Sequence, residues 1–143
     1  MTRPRFLLVP GHSVAGRPVP PWPGSGRDAD SVPSSGTWVA WRLLGSNHRE
    51  VARSAGGFSD ITACLAAIRE LRIALVNGTA SIGVETTQGL WGWVLSVGER
   101  PRAVASRLYQ RHRECDYSCR VFLAAAPAAE LTPPPRSLRA RPP

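Results

Sequence analysis

An internal repeat constrains the fold of this chain more than any other feature of its sequence. Each copy has an aromatic residue followed by three apolar residues at the same spacing. These residues are Phe58, Cys64, Ile68 and Leu71 in the first copy, and Tyr109, Cys115, Cys119 and Phe122 in the second. The chain therefore contains two copies of one unit, at about residues 37–72 and 91–124, joined by a linker at 73–90.

Each copy has the pattern of a strand, a turn, a second strand and a helix. Alternating apolar residues indicate two half-buried first strands, with Val39, Trp41 and Leu43 in one and Trp91, Trp93 and Leu95 in the other. Tight turns are predicted at 45–48 and 98–101, and helices begin near Ser59-Asp60 and near Gln110. We therefore predict an α+β fold, in which two ββα repeats form a four-stranded antiparallel sheet with two helices on one face. The pattern leaves open whether residues 80–85 add a strand.

Both ends of the chain are rich in proline, and residues 1–36 are also rich in glycine and serine. Such segments bury too little apolar surface to offset the entropy lost on ordering. We expect disordered tails at 1–36 and 132–143, around a folded domain at 37–131.

The formal net charge of +8 is spread along the whole chain. Four arginines and two aspartates lie in residues 1–36, and three arginines lie in the last twelve residues, which leaves only +3 for the core. All basic residues are arginine, which together with abundant Ala, Gly and Pro indicates a GC-rich genome. The basic character of the chain alone therefore does not indicate nucleic-acid binding.

The repeat resembles that of the YegP-like family, small bacterial proteins with one or two copies of a short unit. The resemblance covers about residues 37–124 and rests on an aromatic strand, a turn, an apolar-Ala pair, and a serine shortly before an aromatic residue. These appear as Trp41-Arg42-Leu43, Asn47-His48, Val51-Ala52, Ser54 and Phe58, and in the second copy as Trp93-Val94-Leu95, Val104-Ala105, Ser106 and Tyr109. His48 replaces the glycine of the family turn, Gly56-Gly57 adds one residue, and the second copy lacks the Asn-Gly turn. The resemblance implies a compact repeat fold of unknown function, and it assigns no catalytic residue.

Five residues are candidates for contact with a partner. Arginines beside an aromatic residue can bind phosphates and stack on bases, and Trp38 has the opposite parity to the core residues of its strand. The candidates are Trp38, Arg107, Arg111, Arg113 and Arg120. Acidic residues interrupt the arginines, as on an ordinary solvated helix face.

His112, Cys115 and Cys119 share one face of the second helix and are the only candidates for a metal site. The repeat aligns the two cysteines with Cys64 and Ile68, so we interpret them as small apolar core residues. The sequence contains no phosphate-binding loop, nucleophile elbow or metal-ligand pair of diagnostic spacing. We predict no catalytic residue, no metal and no cofactor.

The apolar run at residues 6–10 is shorter than the roughly 7–15 residues of a signal peptide, and no segment approaches the ~20 residues of a membrane span. Three cysteines without a disulfide pattern suit a reducing compartment, so we expect a cytoplasmic protein. Two functions remain. The first is a non-enzymatic interaction module with a protein partner or a second copy of itself, and the alternative is weak, sequence-nonspecific nucleic-acid binding through the arginine-rich helix and tails.

Overall fold

The computed structural model describes residues 3–13 and 36–132. They form one mixed sheet of seven strands and two helices. In chain order these are β1 Arg5–Ser13, β2 Gly36–Leu44, β3 Glu50–Ser54, α1 Ile61–Asn77, β4 Ala80–Thr87, β5 Leu90–Val97, β6 Arg100–Ala105, α2 His112–Ala125 and β7 Glu130–Leu131. The order of the strands across the sheet is β4-β5-β6-β3-β2-β1-β7. The α+β class is thus confirmed, whereas the prediction of a four-stranded sheet is wrong.

The largest error concerns β1, which lies inside the segment predicted to be a disordered tail. β1 pairs antiparallel with β2 along its full length, from Arg5 opposite Leu44 to Ser13 opposite Gly36. Its side chains Phe6 and Leu8 are fully buried in the core. Burial of these two side chains and pairing with β2 stabilise the strand, although the prolines and glycines around it mask the signal in the sequence. The predicted disorder is wrong for residues 5–13, and residues 14–35 and 133–143 lie outside the described residues.

The connection between the predicted repeats also contributes a strand. β4 pairs antiparallel with β5, and Gln88 and Gly89, which close the hairpin, have positive φ angles of 53° and 78°. Two left-handed residues at the tip give the turn type whose twist suits a two-residue hairpin. The same element order, three strands followed by a helix, thus occurs in both halves of the chain.

One apolar core lies between the sheet and the helices. On the strands it includes Phe6, Trp41, Leu43, Trp93 and Leu95, all fully buried, and on the helices Cys64, Ile68, Leu71, Cys115, Cys119 and Phe122. Side chains alternate between the two faces of a strand, and the core residues of these strands lie on one face of the sheet. Both helices pack on that face. Helix α1 begins at Asp60, whose side chain accepts a hydrogen bond from the Ala63 N–H at 2.7 Å, as expected of an N-cap.

The two halves meet through β3 and β6, which pair antiparallel around Arg53 opposite Val104. Leu43 lies opposite Ala52, and Leu95 lies opposite Ala103. Ala52 therefore corresponds to Ala103, two residues before Ala105, with which the sequence alignment paired it.

Candidate functional site

The most promising binding site is an open cleft of about 480 Å³ between α2 and the turn that joins β2 to β3. Its walls come from three segments: the β2–β3 turn with the start of β3, the connection from β6 to α2, and one face of α2. The residues that line it are Asn47, Arg49, Glu50, Val51, Arg107, Tyr109, Arg113, Glu114, Tyr117, Ser118 and Val121. We call this site the α2 cleft.

Helix α2 supplies one wall because its cleft residues recur at helical spacing, with Arg113, Tyr117 and Val121 four residues apart. Tyr117 lines the cleft and leaves 67% of its surface exposed, so its ring is accessible to a ligand. Beneath it the Ser118 hydroxyl accepts a hydrogen bond of 3.1 Å from the indole Nε1 of Trp93. The helix wall is thereby anchored to the core.

The connection from β6 to α2 places an arginine against an aromatic ring. Tyr109 is fixed by two backbone hydrogen bonds of 2.7 Å, in which its N–H and its carbonyl each pair with Trp91. The guanidinium carbon of Arg107 lies 5.2 Å from the centre of the Tyr109 ring, within the range of a cation–π contact. The contact orients Arg107, whose side chain is otherwise exposed.

The opposite wall is shaped by the β2–β3 turn. The Asn47 side chain accepts a hydrogen bond from the Arg49 N–H at 3.1 Å, and His48 between them has a φ of 64°. Glu50 also lines the cleft, but its carboxylate accepts two hydrogen bonds from Arg53, at 2.7 and 3.1 Å. The charge of Glu50 is therefore largely neutralised by an arginine outside the cleft.

The balance of charge in the α2 cleft is positive. Arg49, Arg107 and Arg113 face the carboxylates of Glu50 and Glu114. Within residues 3–13 and 36–132 none of these three arginines forms an ion pair. Guanidinium groups bind carboxylates and phosphates through paired N–H donors. The cleft can thus bind an anionic group, with tyrosine rings beside it for a planar or apolar part.

Of the five residues singled out from the sequence, the structure brings Arg107 and Arg113 together in the cleft. Arg111 precedes α2 and Arg120 lies beyond the cleft, where its guanidinium is 2.8 Å from the Asp116 carboxylate. Trp38 is half-buried. A Cβ added to Gly11 or Gly57 would lie 2.3 or 2.7 Å from its ring, so the indole packs directly on these two glycines.

Sequence reasoning missed Arg49 and Tyr117. Only the fold shows that Arg49, at the β2–β3 turn, lines the same cleft as α2. The position of Tyr117 could be predicted from the sequence, because it lies one helical turn after Arg113 and outside the apolar stripe that contains Cys115 and Cys119.

The candidate metal ligands do not form a cluster. Cys115 and Cys119 are buried in the core, whereas the His112 ring packs edge-on against Trp91 with centroids 4.9 Å apart. No group of three His, Cys, Asp or Glu residues that could hold a metal occurs in the part of the chain that the structure describes. Burial raises the pKa of Cys119 to about 11 and that of Cys64 to about 12. These thiols are protonated and unreactive at neutral pH.

The chain is an α+β protein in which a single sheet carries two helices on one face. A solved structure with a similar fold is the solution NMR structure of yegP from E. coli, a protein of unknown function. The TM-score is 0.61 at 12% sequence identity, and the match covers 92% of this chain and 93% of that chain. The fold is therefore YegP-like, as the sequence resemblance implied.

Other comparisons add no functional information. No protein-family model matches the chain, and no curated protein matches it. None of the helices in residues 3–13 and 36–132 has the length and apolar character needed to cross a bilayer.

Proposed function

We propose that this protein is a non-enzymatic interaction module, built from two copies of one repeat, whose α2 cleft binds an acidic segment of a partner protein. The proposal rests on the contrast between the two copies. From β3 onward, positions 51 residues apart correspond, as Ala52 does to Ala103 and Phe58 to Tyr109. The same fold is thus built twice, and differences between the copies separate what the fold needs from what the cleft adds.

At four positions that line the cleft, the second copy carries an arginine or a tyrosine where the first copy has an uncharged residue. At the cleft positions, Arg107, Tyr109, Arg113 and Tyr117 of the second copy replace Gly56, Phe58, Thr62 and Ala66 of the first. The first copy has the same order of strands and helix although it has uncharged residues at these positions. We therefore infer that the fold does not require the arginines or the tyrosine hydroxyl. This contrast is the observation that carries the proposal.

The distribution of charge favours a short acidic segment over a nucleic acid. A nucleic-acid backbone needs a continuous basic track, whereas the α2 cleft contains the carboxylate of Glu114 beside its arginines. Outside it, Arg120 is paired with Asp116. An acidic peptide can place one or two carboxylates on Arg107 and Arg113 while apolar atoms contact Tyr117. Three buried, free cysteines support our proposal that the protein works in the cytoplasm.

The test is binding of a fluorescent acidic peptide, a decamer of alternating Glu and Leu, followed by anisotropy at two salt concentrations. We expect Arg107→Ala/Arg113→Ala to weaken binding about tenfold, or ~1.4 kcal/mol. The matched control is Arg111→Ala/Arg120→Ala, which removes the same charge from outside the cleft and should change binding less than twofold.

Two results would contradict the proposal. An equal loss of peptide affinity in both double variants would mean that binding depends on the net charge of the protein rather than on the cleft. If a labelled oligo(dT) of equal charge binds more tightly than the peptide, with a steep salt dependence, the alternative of nonspecific nucleic-acid binding is favoured instead.

A further inference from the structure

The two edges of the sheet differ in how their backbone groups are paired. At one edge β7 pairs with β1, through hydrogen bonds of 3.0 Å from the Glu130 N–H to the Pro4 carbonyl and from the Thr132 N–H to the Phe6 carbonyl. At the other edge is β4, Ala80–Thr87, and within the described residues no strand pairs with its outer side. An unpaired edge of this length presents a row of N–H and C=O groups that another strand can bind.

The hairpin fixes which residues of β4 direct their backbone groups outward. Thr87 opposite Leu90 closes the two-residue turn and is a hydrogen-bonded pair, and such pairs alternate along an antiparallel ladder. Ile82, Val84 and Thr86 therefore direct their N–H and C=O groups away from β5. Independent support comes from Trp91, opposite Thr86, whose own N–H and carbonyl bond Tyr109 on the far side.

The same residues carry exposed apolar side chains. Ile82 lies opposite Leu95 and Val84 opposite Trp93, so both side chains are on the core face of the sheet. They are nevertheless 42% and 41% exposed, because the helix layer does not fully cover the last strand. Free backbone groups and uncovered apolar side chains thus coincide along the β4 edge.

We infer that β4 pairs antiparallel with β4 of a second copy of this chain, centred on Gly83. In this register Ile82 lies opposite Val84 of the second copy, and Ala80 lies opposite Thr86. Each such pair exchanges two backbone hydrogen bonds, and the two Ile-Val contacts cover the apolar strip. The pairing joins the two sheets into one and leaves the α2 cleft out of the contact, so it does not depend on the proposed function.

Charge supports a second copy as the occupant. Glu85 is the only charged residue of β4, and this register places it opposite Ser81 of the other copy. A register centred on Glu85 would instead bring two carboxylates face to face, which is unfavourable. Gly83 adds no obstacle at the centre, since a Cβ built there would meet no atom within 4 Å. The edge is therefore complementary to itself without a change in sequence.

Sedimentation equilibrium of the full chain over a range of concentrations tests this inference. We expect a reversible dimer, and we expect Val84→Pro to be monomeric, because proline removes an outward N–H that takes no part in the β4–β5 ladder. A wild-type chain that stays monomeric up to about 1 mM would overturn the inference, since a dissociation constant above this value leaves β4 unpaired at ordinary protein concentrations. A dimer that persists in a folded Val84→Pro variant would overturn it as well.

A matched pair of substitutions tests the register even if the proline variant fails to fold. Ser81→Lys places a cation opposite Glu85 of the second copy, and Ser81→Glu places a carboxylate there. Both changes fall at an exposed position. We expect the dimer dissociation constant to fall about threefold or more for Ser81→Lys and to rise by a similar factor for Ser81→Glu. Equal constants for the two variants, or the opposite order, would refute the pairing centred on Gly83.

Discussion

Replacing Phe6 with Ala tests whether β1 belongs to the folded domain. The Phe6 side chain is fully buried, and its ring packs edge-on against Trp41 with centroids 5.2 Å apart and an interplanar angle of 84°. The Arg72 guanidinium lies 5.3 Å from the centre of the same ring. Burial of a Phe side chain contributes about 1.5–3 kcal/mol, and an aromatic pair adds about 0.5–1.5 kcal/mol. With the cavity left behind, we expect a loss of about 3–5 kcal/mol.

Urea denaturation followed by circular dichroism measures this loss as a fall in the free energy of unfolding. A domain is stable by only about 5–15 kcal/mol, so the midpoint should shift far toward lower urea. Leu7→Ala is the matched control, since Leu7 lies on the same strand but points to the other face and is only half-buried. We expect the control to cost less than about 2 kcal/mol. A loss below about 1 kcal/mol for Phe6→Ala, or one no larger than for Leu7→Ala, would refute the placement of β1 in the core.

Three further predictions concern other buried groups. Gly11→Ala should cost about 1–3 kcal/mol and change the tryptophan fluorescence, because its Cβ would lie 2.3 Å from the neighbouring indole; unchanged stability and emission would contradict that contact. Ser118→Ala should cost about 1–3 kcal/mol in the same urea assay, since it leaves the buried Trp93 N–H without its acceptor, and a cost near zero would exclude the hydrogen bond. Burial raises the pKa of Cys64 from 9.0 to about 12 and that of Cys119 from 9.0 to about 11. The stability that these buried, protonated thiols contribute is therefore complete below pH 9 and is lost as the pH rises from 9 toward 12. Urea midpoints between pH 8 and 11 should therefore fall more steeply for the wild type than for Cys64→Ala/Cys119→Ala, and parallel curves would contradict this.

The predictable part of the fold was the part with regular periodicity. Alternation around Trp41 and Trp93 located β2 and β5, because each strand has one face in the core. The spacing from Cys115 to Phe122 located α2 for the same reason. β1 escaped prediction because residues 6–9 form a continuous apolar run without alternation, flanked by Pro4, Pro10 and Gly11.

The hydrophobic pattern of β4 in the sequence is weak, and the reason is physical. Nearly all its residues are exposed or half-exposed at the edge of the sheet, so selection for a buried face barely marks the sequence. The strand is held by the backbone ladder to β5 and by the left-handed turn at Gln88-Gly89. Such contacts leave little trace in hydrophobic periodicity.

For the candidate site, the sequence predicted basic residues but not the cleft that some of them line. Arg107 and Arg113 were identified because they lie within four residues of Tyr109, around the start of α2. Arg111 and Arg120 were indistinguishable from them, because the sequence does not show which face of α2 meets the β2–β3 turn. The contribution of Arg49 depends on the tertiary fold, which brings residues more than 50 positions apart to one cleft.

The hairpin formed by β4 and β5 has a consequence for the order in which the chain folds. Its strands are joined by Gln88 and Gly89, whereas the matching strands β1 and β2 are joined by residues 14–35. The longer connection contains about ten times as many residues, so closing it in the unfolded chain costs about 2 kcal/mol more in entropy. Contacts close in sequence form sooner. The C-terminal half should therefore nucleate folding, with β1 docking late, and mutations at Phe6 should mainly speed unfolding while mutations at Trp93 slow refolding.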